Sequence, residues 1–124
     1  NEILLEAENT VVTDKDITAH AETNLIRLAT QKYTPDDLAL CTVYTSTEPC
    51  PMCAGAIFWS NIRRVVYGLS EEKLYAMIEE GTSDAVLKMS CREIFERGQR
   101  SIEVIGPMLE GEAAKVHVGF WLAE

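Results

Sequence analysis

Basic residues are scarce in this chain: 11 lysines and arginines stand against 20 aspartates and glutamates over 124 residues, a formal charge of −9. Such a field repels polyanions and withholds the general electrostatic route to DNA, RNA or an anionic membrane. A small neutral ligand suits it better. Long apolar runs are missing as well, since none reaches the roughly 18 residues of a membrane-crossing helix. Asn1 to Glu8 alternates acid with aliphatic, where a secretory leader would set a basic stretch before a hydrophobic one. A soluble cytoplasmic protein is expected. Repeats, low-complexity tracts and linkers are absent, and the composition, 47% hydrophobic and 25% charged, is that of a single domain over 1–124. Cysteine and histidine are few: Cys41, Cys50, Cys53, Cys91, His20 and His117. Four cysteines can pair as two disulfides in an exporting compartment, but a C-x-x-C without a secretory signal points to reduced thiols that bind metal or do redox work. The one locally basic stretch, Lys88 to Arg100, reads as an ordinary solvated helix and turn in preference to a phosphate patch.

What is present alternates between strand and helix. Ile3 to Ala7 reads as a strand and Asn9 to Thr18 as a loop. Ala21, Leu25, Leu28 and Ala29 recur at helical spacing from Ala19 to Tyr33, and Thr34-Pro35-Asp36-Asp37 stops that helix. Leu40 to Thr45 predicts a buried strand. A helix from Pro51 follows, apolar all round over Ala54 to Trp59, as if covered by the sheet on one side and a partner subunit on the other. Arg64 to Tyr67 reads as a strand closed by Gly68. Glu71 to Glu80 is a helix with Leu74, Met77 and Ile78 inward, Ile102 to Ile105 another strand, and Leu109, Ala113, Val116 and Phe120 the stripe of a last helix. The alternation predicts an α/β layer fold with largely parallel pairing.

The chemistry concentrates in "TEPCPMCAGA", residues 47 to 56. Cys50 and Cys53 at i and i+3 in a helix's first turn project from one end and can grip one ion at about 2.3 Å. The helix N-terminus favours their ionised form. Pro51 suits the first helical position, and Pro49 holds the approach extended. His117, on the last helix, reads as a surface or packing residue. His20 opens the first helix in "DITAHAETN" with Glu22 two residues on, and both can address one ion only if it sits off the helix end. His20, Cys50 and Cys53 then leave one position for water, the pattern of a catalytic zinc site, with Glu22 placed to take a proton from that water and pass it on.

At these residues the chain resembles the zinc-dependent nucleobase and nucleoside deaminases, with their H-x-E … P-C-x-x-C signature. "HAE" at 20–22 and "PCPMC" at 49–53 carry the likeness, and "YTSTEPCPMCAGAI", "RRVVYG" and "IEVIGPMLEGEAA" extend it over most of the chain. The resemblance implies a three-layer α/β/α cytidine deaminase-like fold with a mixed, largely parallel sheet, bound zinc, and a homodimer. It also implies that a helix and first strand that usually precede "NEILLEAEN" are missing here; Ile3 to Ala7 would then pair directly with the Leu40 to Thr45 strand, or another chain would supply the edge.

The implied activity is hydrolytic deamination, in which water acidified by zinc attacks a ring carbon bearing an exocyclic amine and Glu22 shuttles the protons. The resemblance further implies that the Ala21 N–H approaches the base, that Asn9, eleven positions before His20, contacts it or is a turn residue, and that Glu48 either supports the site from behind or is a loop acid. "TEPCPMCAGAI" looks most like the branch of guanine and tRNA adenosine deaminases. The acidic surface favours a free purine such as guanine over tRNA, with cytosine a third possibility and a catalytically silent zinc module the alternative of another class. Phe58, Trp59, Tyr75, Phe120 and Trp121 include candidates to stack on the base, with core or dimer packing the default for each. Cys41 and Cys91 read as buried small hydrophobes.

Overall fold

The protein is seen here in a computed structural model that describes residues 2–81 and 86–115. Its elements run α1 (Val11–Asp14), α2 (Ala21–Lys32), α3 (Pro35–Leu38), β1 (Val43–Thr47), α4 (Pro51–Ser60), β2 (Arg64–Leu69), α5 (Glu71–Gly81), α6 (Cys91–Glu96), β3 (Glu103–Ile105) and α7 (Glu110–Ala114). The three described strands lie in the order β1-β2-β3 and every pairing is parallel, with Val43 opposite Val65 and Val65 opposite Val104. Parallel neighbours need a crossover, and α4 supplies the one between β1 and β2.

Along β2 the side chains alternate, and Val65, Tyr67 and Leu69 are buried. Val65 and Tyr67 join Val43, Ile26 and Ala29 of α2, Ala54 and Ile57 of α4, and Cys91 and Phe95 of α6 in one core. The other face of β2 carries Gly68, where an added Cβ would stand 2.9 Å from Ala113 of α7. Helix, sheet and helix layers result. None of the described helices is long and apolar enough to cross a membrane.

Several expectations are corrected. Residues 3–7 form no strand: Ile3 is 78% exposed and only Leu5 packs on the core. An acid-aliphatic alternation becomes a strand only with a lateral partner, and these residues instead precede a tether in which Thr10 N–H donates to Ala19 O at 2.9 Å and Asn24 Nδ2 to Glu8 O at 2.9 Å. Accordingly β1 has β2 as its one partner among the described strands. The stretch read as a loop holds α1, a single turn whose Val11 N–H donates to Asn9 Oδ1.

Leu40 and Cys41 fall outside β1 because their amides still bond Asp37 O and Leu38 O in the turn after α3. Gly68 does not close β2, which runs on to Leu69; it is the point of closest approach, since a Cβ there would lie 2.8 Å from Ser46 O. In α4 this chain itself covers one face, with Cys53, Ala54 and Ile57 buried, and Trp59 is 79% exposed on the opposite face, where a partner subunit was expected. Of the expected last helix the structure describes Glu110–Ala114, with Leu109 exposed before it; Val116 and Phe120 lie outside the described residues.

The basic stretch is more than solvated surface. Arg92 donates to Val104 O, Gly106 O and Tyr67 Oη, and Arg100 donates to Phe58 O and Asn61 Oδ1. Both arginines therefore fasten β3 and the end of α4 to their surroundings.

Candidate metal centre

Two helix starts meet at one point. His20 is the N-cap of α2 and Cys50 the N-cap of α4, both with extended backbone, so their side chains project past the first turn instead of along the helix flank. Cys53 stands three residues into α4. Side chains at the N-cap and three residues later face each other across a first turn, the relationship that a capping box uses with oxygen atoms. Here sulfur takes that place. Pro51 at the first helical position presets the turn without an amide to satisfy.

The three donor atoms form a nearly equilateral triangle: His20 Nδ1 lies 3.6 Å from Cys50 Sγ and 3.5 Å from Cys53 Sγ, and the sulfurs are 3.6 Å apart. Zinc with bonds of about 2.3 Å to sulfur and 2.0–2.1 Å to nitrogen, at the tetrahedral angle, separates two sulfurs by about 3.8 Å and sulfur from nitrogen by about 3.6 Å. The residues present thus match one face of a zinc tetrahedron, with the fourth corner free of protein ligands. They are the group positioned to hold a metal among the described residues.

Electrostatics agree with that donor set. The Cys50 thiol is lowered to about 5, chiefly because its thiolate accepts from the Cys53 S–H, with the Cys53 and Met52 amides and His20 adding to the effect against burial. Cys53 moves up for the reciprocal reason, and its burial and the Glu22 and Cys50 charges push the same way. The Glu22 carboxyl, half-buried in the first turn of α2, is raised mainly by desolvation and by the Cys50 charge, while its own backbone N–H, His20 and the Thr45 side chain hold it partly down. Glu22 thus lies in the field of the donor set without belonging to the triangle.

The other sequence candidates fall around this centre. Ala21 is the first residue of α2, so its N–H is one of the helix's free donors. Asn9 is exposed and its Oδ1 accepts from Val11 N at 2.9 Å, while the Thr10–Ala19 backbone bond holds the segment beside the start of α2. Glu48 is 6% exposed, and its carboxylate joins two helix starts: Oε1 accepts from Glu71 N at 2.9 Å and Oε2 from Cys91 N at 2.8 Å. Any support it lends the metal face passes along Glu48-Pro49-Cys50. Cys91 is buried and its thiol is pushed up to about 12, by burial first and then by Glu48, whereas Cys41 is half-buried with Sγ 3.4 Å from Asp37 O.

Phe58 is wedged between Trp59, edge-on at 5.2 Å, and the Arg100 guanidinium at 4.5 Å. His117, Phe120 and Trp121 lie outside the described residues. One residue that the sequence reading passed over is Glu71, buried after β2. In "LSEEK" it reads as an ordinary first-turn acid, and only its place at the end of a strand neighbouring β1 hinted at more.

Helices that begin over the carboxyl ends of parallel strands, two thiols and an imidazole on one tetrahedral face, and an acid beside them define a zinc-binding α/β protein. Residues 1–69 match the cytidine and deoxycytidylate deaminase zinc-binding region. Along the chain, 119 residues are 46% identical to the probable cytosine deaminase of Schizosaccharomyces pombe, covering 96% of this chain and 72% of that protein. A guanine deaminase of Bacillus subtilis is 48% identical over 65 residues, 52% of this chain and 42% of its own length. The solved guanine deaminase of Nitrosomonas europaea superposes with a TM-score of 0.72 at 27% identity, over 92% of this chain and 63% of that one. The chain belongs to the cytidine and deoxycytidylate deaminase family, whose members are zinc-dependent hydrolytic deaminases.

Proposed function

We propose that residues 1–124 form one deaminase domain that removes an exocyclic amine from a free nucleobase and releases ammonia. The observation that carries this reading is the 3.5–3.6 Å triangle of His20, Cys50 and Cys53 with Glu22 in the adjoining first turn. Bound at that face, zinc supplies a Lewis acid that acidifies water. Glu22 would take one proton from the attacking water and deliver it to the ring nitrogen beside the reacting carbon, then take the remaining proton of the newly added hydroxyl and pass it to the leaving amine, which departs as ammonia. Its raised pKa suits a group that must hold and surrender protons in turn.

The Ala21 N–H is a donor for an acceptor atom on the ring, and Asn9, tethered beside α2, offers a side-chain amide to the same base. Glu48 fixes the approach to Cys50. A buried or narrow site for a free base fits a surface with a formal charge of −9 better than a tRNA backbone does. Guanine is the first candidate, supported by the likeness to the Nitrosomonas europaea enzyme. Cytosine is the second reading, supported by 46% identity across 96% of this chain. The reading is of a homodimer, with the exposed Trp59 face of α4 as the surface a second copy would cover.

The test is ammonia release from guanine, adenine, cytosine and their nucleosides by zinc-loaded protein, beside Glu22→Ala. Release from one base, lost in the variant with zinc retained, is expected. Zinc bound by both proteins without turnover of any base would instead identify a silent zinc module.

A further inference from the structure

Around Glu48, two residues before Cys50, lies a cavity of about 640 Å³ lined by Tyr67, Tyr75, Met89 and Pro107 together with charged side chains that include Glu71 and Arg92. Glu48 follows β1 and Glu71 follows β2 by two residues, so the cavity opens at the carboxyl end of the sheet, where α/β proteins bind ligands. Its size is that of a site for a small organic molecule. Because Glu48 is in its lining, the cavity reaches the segment that carries a metal-site thiol.

Glu71 is the anomaly in this cavity. It is 5% exposed, and among the described residues neither carboxyl oxygen has a hydrogen-bond partner. Buried polar groups are ordinarily satisfied, so such an acid calls for an explanation. A first-turn acid usually turns to the free N–H groups of its own helix. In α5 two of these N–H groups are already taken, that of Glu71 by Glu48 Oε1 and that of Lys73 by Ser70 Oγ.

The neighbouring donors are committed elsewhere. Tyr75 gives its one hydroxyl proton to Leu87 O at 2.9 Å, and the Arg92 fork is turned to Tyr67 Oη, Val104 O and Gly106 O. Tyr75 and the Met89 backbone stand close enough to favour the ionised acid, but neither completes a hydrogen bond to it.

The geometry points to a heterocycle subsite in which the Glu71 carboxyl accepts a ring N–H of the substrate, between aromatic walls, while the reacting carbon faces the metal. This rests on the deaminase reading above and makes Glu71 a specificity-determining residue for it. A buried carboxyl with no other partner discriminates sharply, since a ring lacking that N–H leaves the acid unpaired. Aromatic side chains at the walls supply the flat surfaces that a planar base requires.

Zinc-loaded Glu22→Ala protein, in which no turnover obscures binding, provides the test. Calorimetry with guanine, with cytosine and with their ring-N-methylated forms is compared before and after Glu71→Gln. The better-binding parent base should lose about tenfold or more in affinity, and the form methylated at the N–H that Glu71 reads should change by less than about twofold. Glu71→Asp, which keeps the charge but draws it back, should fall between.

Unchanged affinity for every base, or equal weakening of the methylated and parent forms, would overturn the proposal. If Glu71→Gln fails to fold, the Glu71→Asp comparison decides by the same criteria. Binding that depends on Glu71, alongside no ammonia from the unsubstituted protein, would remove the deaminase reading and leave the subsite standing.

Discussion

His20 and Cys50 occupy the same place on two different helices: each is an N-cap, with φ −67° and ψ of 158° and 170° respectively, and Nδ1 and Sγ stand 3.6 Å apart. The ion these groups would share therefore lies off both helix ends, where backbone N–H groups favour the thiolates. His20→Ala or Cys53→Ser is expected to take bound zinc from about one per chain to none, because two donors leave half the tetrahedron to solvent. Glu22→Gln is expected to keep the zinc and lose turnover by about 10²–10⁴-fold. Metal analysis on gel-filtered protein with an ammonia assay on the same samples separates these outcomes. Zinc lost from Glu22→Gln would place that carboxylate among the ligands.

Metal-free protein should react selectively at Cys50. Its thiol is lowered to about 5, so at neutral pH it is a thiolate, whereas Cys53 is raised and Cys91 pushed up to about 12. Brief iodoacetamide treatment after chelation is expected to alkylate Cys50 ahead of Cys53 and Cys91, and one equivalent of zinc should protect it. Peptide mass mapping reads the result. Equal labelling of Cys50 and Cys53 would contradict the shared-proton arrangement.

Glu48 holds the starts of α5 and α6 with one carboxylate. In Glu48→Gln one oxygen becomes an amino group that faces a backbone N–H, so a buried donor loses its acceptor. Urea unfolding of the zinc-loaded protein should register a loss on the order of 1–3 kcal/mol. Zinc affinity should fall about 10–100-fold, because the residue also sets the segment that carries Cys50. Unaltered zinc affinity with lowered stability would confine Glu48 to the helix starts.

Glu71 makes stability depend on pH in a direction opposite to that of most carboxylates. Desolvation raises its pKa to about 7 from 4.5. The folded state thus holds the proton more tightly than the unfolded chain, and the advantage is complete at pH below about 4.5 and lost as pH rises through about 7. Glu71→Gln removes this dependence. The variant's Tm minus that of the parent is therefore expected to increase between pH 5 and pH 8, measured at fixed zinc. A difference that stays flat over that interval would mean that Glu71 titrates alike in both states.

Much of the chemistry was legible in the sequence because it is local. Cys50 and Cys53 need only a helix to bring them together, and Pro51 announces that helix, so three residues of spacing sufficed. His20 and Glu22 were legible for the same reason, as the start of an amphipathic stretch. The alternation of strand and helix also foretold parallel pairing, which β1, β2 and β3 display.

Other features required the third dimension. Whether Ile3 to Ala7 becomes a strand depends on a lateral partner, which no periodicity within the segment can reveal. Gly68 looked like a terminator because glycine often ends strands, but here it admits Ser46 and α7 to the sheet. Glu48 and Glu71 were both acids in turns until the fold set the one against the amides of two helices 23 and 43 residues away and left the other buried with no hydrogen-bond partner among the described residues. By itself the sequence determined which atoms could bind a metal, since bonding preference and helical spacing belong to residues a few positions apart. Tertiary structure alone decided which carboxylate is satisfied and which has no partner among the described residues, because desolvation and hydrogen-bond partners come from segments that meet only on folding.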